Sequence, residues 1–575
     1  MSDKPWTPRS AALVTLVVAL GLFGLVRPAS SAESLAAVAP ADTALFLEIP
    51  ALDATWTAFD DSELAERWKL TRLSALWLRS PFVEHWRKLD LYSTAKTGQT
   101  LTHHLRKLFA DGVAIAVVLR DQKPTGVLVA RAASPDDVTA AIRAWDKLEP
   151  PLRTESRTHA GRTYHVRVVK KSGGEQSIFY ATDETQFVLS DQERLVRDCL
   201  QLWSRVDARR GAATPSLADQ PEFQELLREA PPAAMLYLAP HRWQPVLSQL
   251  RDGSPASDLL FAGIGKLRGV MTVVTLDGGL LAELTATLDP AAFSTDWRDF
   301  VATAATSPTI IEAAPADALL VAGGRFDVEP FIAGFTRLMP EHDRRELNKV
   351  GTVLRTLLLD ADPWTVTLPA LLSDWGGYVA LRPTDEQQPP RSHPFVALIS
   401  AQRPASAREA GLSLGLENAL SFGVNALATA LTVEKDGLPI TLQRLREGDG
   451  QEWRLSGRAW GEFALRLTTD AVRWSSSVEE LRRMKDREPG APPSPLATTA
   501  NSHFPKSAAF LWVNSRLFRA SDSAPALQAL AGGKEPPPLA ALNELGKLFD
   551  ELFAAVQIQE TRIGVRAGGR IAGQP

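Results

Sequence analysis

Ser413 is the residue whose surroundings most directly suggest a reaction. The run from Gly411 to Gly415 reads G-x-S-x-G, the pattern in which a hydrolase holds its serine nucleophile on a strained turn between a strand and a helix. Here the pattern lies inside a long helix-like run, Ala405 to Leu431. A serine hydrolase using Ser413 therefore stands as an alternative function, and the helical context of the motif counts against it.

A second set of motifs surrounds Lys96. Ser93 to Lys96 fits S-x-x-K, and Lys96 to Gly98 fits K-T-G. In penicillin-recognising enzymes these two motifs lie far apart in the chain and form separate walls of one site. Here they share Lys96, and no S-D-N motif accompanies them. The sequence therefore predicts no acyl-enzyme chemistry at Ser93.

Histidine and cysteine offer little more. His103 and His104 are adjacent in a predicted helix, where neighbouring side chains point about 100° apart and cannot easily share one metal ion. Cys199 is the single cysteine of the chain, which excludes a disulfide framework and a multi-cysteine metal site. Leu195, Cys199 and Leu202 follow helical spacing, so we expect the thiol in the core. We assign no catalytic residue, no cofactor-binding residue and no metal ligand, and expect a protein that is not an enzyme.

Four tryptophans, Trp56, Trp68, Trp77 and Trp86, punctuate the first helical region. They could line an aromatic groove for a ligand, or they could fill contacts between helices. Buried tryptophan commonly fills such contacts. Packing is the interpretation that the sequence favours.

Composition excludes a further class of partner. The chain of 575 residues carries 63 lysines and arginines against 67 aspartates and glutamates, a net charge of −4. A nucleic-acid binder needs a basic footprint that this balance does not provide. The hydrophobic share of 45% is that of a folded protein long enough for several cores.

The N-terminus carries an export pattern. Lys4 and Arg9 precede an uncharged run at positions 11–26, and small residues follow up to Ala32. This is the form of a secretory signal peptide spanning residues 1–32, with cleavage after Ala32. The alternative is an uncleaved anchor, in which residues 11–26 contact the inner membrane. Either reading places the body of the protein outside the cytoplasm, in the periplasm or secreted.

The elements that would position any site form a duplicated pattern. The stretch from Pro40 to Pro50, an apolar strand bounded by prolines, returns in close copy at Pro315. The sequence predicts a tandem duplication of an α+β unit of about 270 residues. The first repeat spans 33–302 and the second spans 309–575, with its last strand cut short. Because the strands come mostly as hairpins, each sheet should be mainly antiparallel, with helices packed on one face.

Within the first repeat, local signals mark several elements. Helices are predicted from Asp61 to Leu108, with Ser80 as a cap before Pro81, and again after Ser134. A hairpin is predicted across the polar turn at positions 120–125.

The segment that follows the export signal carries a resemblance. Leu35 to Thr43 reads L-A-A-V-A-P-A-D-T and leads into an apolar strand. This arrangement resembles a family of uncharacterised bacterial envelope proteins that is catalogued only as a domain of unknown function. The resemblance implies an extracytoplasmic protein, and it supplies no catalytic residue to transfer.

Taken together, the sequence favours an exported, non-enzymatic envelope or periplasmic protein with a binding or structural role. Its partner would be an unidentified protein or envelope component, without a cofactor. The second alternative is a protein that binds lipid or another apolar ligand, in a cleft between the two lobes.

Overall fold

The computed structural model describes most of the residues after position 33. The described residues are 34–171, 174–208, 214–227, 232–250, 257, 261, 263–276, 278–289, 291, 300–301, 304, 308–315, 318–329, 341–359, 362–381, 395–402, 412–434, 440–447, 450–457, 461–468, 471–485, 506–516 and 544–571. The predicted signal segment, residues 1–32, lies outside them. The chain divides into two compact units, the first comprising 1–289 with 568–575 and the second 290–567.

The first unit is built on a ten-stranded sheet in which every neighbouring pair is antiparallel. The strand order is β4-β5-β6-β7-β3-β2-β1-β8-β9-β10. The bounds are β1 Thr43–Ile49, β2 Gly112–Arg120, β3 Lys123–Arg131, β4 Arg153–His159, β5 Arg162–Lys171, β6 Gly174–Asp183, β7 Gln186–Ser190, β8 Ala234–Leu238, β9 Leu267–Thr275 and β10 Gly279–Leu288.

The strand predicted between Pro40 and Pro50 is β1, and it lies inside the sheet. It pairs with β2 on one side and with β8 on the other, so that Phe46 faces Ala116 and Tyr237. Glu48 is the one acidic residue in this strand, and it is buried. Its carboxylate accepts hydrogen bonds from Ser34 Oγ at 2.6 Å and from the backbone N of Leu35 at 2.7 Å. Glu48 therefore fixes the short 3₁₀ helix Leu35–Val38 that precedes the strand.

Nine α-helices with defined bounds accompany this sheet. They are α1 Leu52–Asp60, α2 Glu63–Lys69, α3 Arg72–Leu78, α4 Pro81–Thr97, α5 Leu101–Leu108, α6 Pro135–Leu148, α7 Glu193–Ala208, α8 Pro221–Gln224 and α9 Pro240–Leu247. The predicted caps are confirmed: Ser80 Oγ accepts from Val83 N, and Ser134 Oγ accepts from Asp137 N, both at 3.3 Å. No helix in the described part of the chain is long and apolar enough to cross a membrane.

Helices cover both faces of the first sheet, so the expectation of helices on one face is wrong for this unit. On β2, Ala114 and Ala116 belong to a core shared with α7, whereas Val113 belongs to a second core shared with α1, α5 and α6. On β3 the same alternation assigns Val129 to the first core and Ala130 to the second. The physical reason is visible in the sequence. Strand β2 is apolar at consecutive positions, so both of its faces must be covered by other elements.

The second unit also contains an antiparallel sheet of ten strands, in the order β14-β15-β16-β17-β13-β12-β11-β18-β19-β20. Its strands are β11 Ala318–Arg325, β12 Asp374–Leu381, β13 Phe395–Gln402, β14 Ile440–Glu447, β15 Gly450–Gly457, β16 Gly461–Leu467, β17 Ala471–Ser475, β18 Ala509–Val513, β19 Glu551–Ile558 and β20 Arg562–Arg570. Its helices are α10 Ile310–Ala313, α11 Glu341–Leu357, α12 Leu368–Leu372, α13 Leu412–Glu434 and α14 Val478–Lys485.

The whole chain is thus a mixed helix and sheet protein with extensive antiparallel pairing. In the second unit, β12 pairs antiparallel with β13 over its full length. The last strand, which the sequence suggested was cut short, has nine residues and pairs with β19.

Candidate apolar binding site

The first unit contains an apolar cavity of about 550 Å³. Its floor is one face of β3 and β7, where Leu128 lies opposite Leu189 in the strand register. Its walls come from α1 and from α3 to α6. Cavities of roughly 300–1,000 Å³ lined mainly by apolar side chains are typical of small-molecule sites.

Aromatic side chains form one wall of the cavity. The rings of Trp77 and Phe82 lie 5.6 Å apart between centroids, and those of Phe82 and Trp86 stack at 6.0 Å. Trp56 and Trp145 also line the cavity. The sequence favoured packing over a ligand groove for the first helical region. In the structure Trp77 and Trp86 pack against Phe82 and, together with Trp56, also line the cavity, whereas Trp68 is not among its lining residues.

The turn between α4 and α5 brings this wall together. Gly98 ends α4 in the left-handed conformation, with φ +85°, and its N donates to Thr94 O at 2.9 Å. Thr100 then caps α5 by accepting from His103 N at 3.0 Å. A glycine after the last turn and a threonine before the next helix are the residues that such a reversal requires.

The polar groups of the aromatic wall form hydrogen bonds with one another. Trp86 Nε1 donates to Thr102 Oγ1 at 2.9 Å, and Thr102 Oγ1 donates to the Asp90 carboxylate at 2.9 Å. The backbone N of Thr102 also donates to Asp90 at 2.9 Å. Because these groups already have partners, the wall presents few polar atoms to a ligand.

The basic side chains that line the cavity differ in whether an acidic side chain pairs with them. Arg106 forms an ion pair with Asp53 at 2.6 Å and lies over the Trp56 ring. Burial and the neighbouring His103 lower the pKa of the His104 imidazole below its ordinary value, which leaves it neutral near pH 7. Arg87 is exposed, lines the cavity, and has no acidic partner in the part of the chain that the structure describes. It is the positive charge that remains available at the mouth.

The motif residues around Lys96 have structural roles. Ser93 is fully buried and its Oγ donates to Gln99 O at 2.9 Å, while Thr97 Oγ1 donates to Ser93 O at 2.9 Å. Lys96 lies over the Tyr92 ring at 5.9 Å. These contacts close the end of α4, and they place no general base beside the Ser93 hydroxyl.

The remaining candidates lie on different helices. Ser413 lies in the first turn of α13, and Gly411, the first residue of its motif, lies outside the described residues. Cys199 is fully buried in α7, and burial raises the pKa of its thiol. The rings of His103 and His104 meet edge to face at 5.9 Å. No group of three potential metal ligands occurs within the described ranges.

A smaller apolar cavity, about 240 Å³, lies in the second unit between α13 and strands β15 to β17. Phe463 and Trp474 stack at 5.8 Å on its sheet side, and Leu420 and Val424 face it from the helix. It lacks a charged lining residue. The first cavity is therefore the better candidate for a site that orients an amphiphile.

No family model matches the chain, and no curated protein matches it. Two solved structures of TP0453, in crystal forms III and I, align at TM-scores of 0.22 and 0.21 with 14% identity in each case. The alignments cover 46% and 47% of this chain and 84% and 85% of those chains. Similarity at this level does not establish a common fold.

Proposed function

We propose that the protein binds a single-chain amphiphile with an anionic head group, such as a long-chain fatty acid, in the cavity of the first unit. The observation that carries the proposal is the combination of an apolar, aromatic-walled cavity with one cation at its mouth that has no acidic partner among the described residues. The proposal concerns this cavity, and not the cleft between two lobes that the sequence suggested.

The chemistry of the lining selects the ligand class. An apolar tail would exchange water for Leu128, Leu189 and the aromatic wall, which is favourable by roughly 25 cal/mol per Å² of apolar surface buried. A polar ligand would lose its hydrogen bonds to water and find Trp86 Nε1 already donating to Thr102. A carboxylate held near Arg87 stays at the solvent boundary, where the charged group loses little of its hydration free energy.

The role that we propose is non-enzymatic and extracytoplasmic. The export pattern of residues 1–32 supports delivery outside the cytoplasm, as a periplasmic, secreted or anchored protein. Binding an amphiphile fits a role in the cell envelope, where such molecules are abundant. No catalytic group is needed for it.

We also propose that the two units arose by duplication. The strand order of the second unit repeats that of the first when ten is added to each strand number. The prolines at 40 and 315 precede β1 and β11, which occupy the same place in that order. On this basis β14 corresponds to β4.

A substitution that fills the cavity with a larger side chain, followed by a binding measurement, tests the proposed function. Ala141 lines the cavity from α6, and Ala140 is exposed on the same helix. The full chain, freed of lipid, should bind a fluorescent polyene fatty acid saturably. Ala141→Phe should weaken this binding at least ten-fold because the ring occupies the space of the tail, whereas Ala140→Phe should not change it.

Two results would overturn the proposal. One is the absence of saturable binding by the unmodified chain. The other is equal affinity for Ala141→Phe and Ala140→Phe, with both variants shown by circular dichroism to be folded. Mass spectrometry of lipid extracted from the purified protein would then identify the head group and chain length.

A further inference from the structure

We propose that the helices α2 and α3, together with the first turns of α4, dock on the surface of an anionic phospholipid bilayer. Four leucines within nine residues are exposed there: Leu70 at 79%, Leu73 at 39%, Leu76 at 66% and Leu78 at 48%. Single exposed leucines are ordinary on a protein surface, but a cluster of this density marks a surface that is covered in use.

The charges around these leucines favour an anionic surface as the partner. From Glu63 to Lys88 the sequence carries six basic and three acidic residues, although the whole chain has a net charge of −4. The three acids pair with Arg67, Lys69 and Lys88. Within the described ranges Arg79 and Arg87 have no acidic partner. Positive charge is thus available in the same segment of the chain as the leucines.

The pattern fits an interfacial membrane contact better than a protein interface. Short helices that expose leucines among arginine and lysine side chains can bury the leucines at the level of the lipid head groups, while the basic side chains reach the phosphates. Protein interfaces are instead depleted in lysine and glutamate, although not in arginine. Lys69 and Arg72 lie directly beside Leu70 and Leu73 in the chain.

Residues of the docking helices also line the cavity. Trp77 lies between Leu76 and Leu78 in α3 and lines the cavity, and Phe82 does so from the first turn of α4. The docked helices would therefore contribute side chains to the cavity that holds the amphiphile. The membrane contact goes beyond the proposed ligand binding and stands without it.

Fluorescence from a single introduced cysteine tests the docking. Cys199 is the one native cysteine and is fully buried, so an environment-sensitive nitrobenzoxadiazole label will react selectively at Leu76→Cys in the full chain. The matched control is Leu152→Cys, at a leucine that is 53% exposed outside these helices. The local label reports on α3 irrespective of any membrane contact by residues 11–26.

With vesicles of phosphatidylglycerol and phosphatidylcholine, the label at position 76 should shift its emission to the blue, and the label at position 152 should not. Vesicles of phosphatidylcholine alone should produce no shift. Arg79→Gln should weaken the vesicle affinity about five-fold, as expected for losing one basic side chain near an anionic surface. Added salt should weaken it further.

Two outcomes would overturn the docking. The first is an unchanged emission at position 76 with anionic vesicles. The second is a blue shift that appears without vesicles and grows with protein concentration, which would identify the surface as a contact between copies of the chain. Ala141→Phe keeps the docking surface, so its vesicle response should be retained even when fatty acid binding is lost. The two proposals can therefore fail separately.

Discussion

Trp86 and Thr102 join α4 to α5 through a hydrogen bond of 2.9 Å from the indole Nε1 to the threonine Oγ1. The same hydroxyl donates to Asp90, one turn further along α4. The contact orients the Trp86 ring towards Phe82, with which it stacks, and gives the indole N–H a partner within the protein. An apolar cavity wall containing tryptophan requires such a partner, because an unpaired buried donor is costly.

Thr102→Val should destabilise the first unit by about 1–3 kcal/mol, since the isosteric side chain leaves Trp86 Nε1 without its acceptor. Thr102→Ser keeps the hydroxyl and should lose less. Thr94→Val is the matched control, because that exposed threonine only donates to Asp90 O in its own helix. Urea unfolding followed by circular dichroism gives the midpoints. Equal midpoints for Thr102→Val and Thr94→Val would show that the contact contributes nothing.

Much of the local structure could be predicted because it depends on neighbouring residues. The predicted hairpin has a two-residue turn at Asp121 and Gln122, with φ of +50° and +60°. Polar residues between two apolar runs signal such a turn. The caps at Ser80 and Ser134 were predicted for the same reason, since each depends on a serine followed by a proline and an amide within the next turn.

The features that could not be predicted from the sequence are an exposed edge strand and a cavity formed by residues that are distant in the chain. Strand β4, Arg153–His159, was not predicted because it is a polar, exposed edge strand without apolar alternation. The cavity was not predicted because its floor joins Leu128 to Leu189 across the pairing of β3 with β7, which are far apart in sequence. The signal that could have indicated a site was the recurrence of Trp77, Phe82 and Trp86 next to Arg87.

Arg87→Gln should lower the affinity for a fatty acid about five-fold, which corresponds to about 1 kcal/mol for an exposed ion pair. The affinity for the fatty alcohol of the same length should stay unchanged, because the alcohol has no charge for Arg87 to bind. Arg143→Gln, at an exposed position of α6 that does not line the cavity, is the control. Competition against the polyene fatty acid measures both ligands. An equal loss for acid and alcohol would exclude Arg87 as the head-group contact.

Glu48 should make stability depend on pH. Burial raises the pKa of its carboxyl group above the ordinary value of 4.5, even though Ser34 and the Leu35 amide donate to it. The folded state therefore holds this proton more tightly than the unfolded state. The stabilising contribution is fully present below pH 4.5 and is lost as pH rises through the raised pKa of the folded protein. Relative to Glu48→Gln, the unmodified chain should gain thermal stability as pH falls from 7 towards 4.5. A difference in Tm that does not change with pH would contradict this assignment.

The thiol of Cys199 should be unreactive in the folded protein. The side chain lies on the buried face of α7, and burial raises the pKa of the thiol, so that neither access nor the thiolate form is available. Reaction with Ellman's reagent should be undetectable without denaturant and complete in guanidinium chloride. Rapid reaction of the native chain would show that α7 opens readily, and it would require Cys199→Ala in the labelling experiment.

The affinity of the cavity for a fatty acid should depend on the length of the ligand tail. Each methylene that enters an apolar site contributes about 0.8 kcal/mol, or about four-fold in affinity. In a series of saturated fatty acids, the affinity should rise by this factor per carbon and then level off when the tail fills the cavity. Ala141→Val removes part of the volume and should move the plateau to a shorter chain, whereas Ala140→Val, on the exposed side of α6, should leave it in place. Isothermal titration calorimetry gives the affinities. A rise that continues without a plateau, or a plateau that is the same for both variants, would locate the tail outside this cavity.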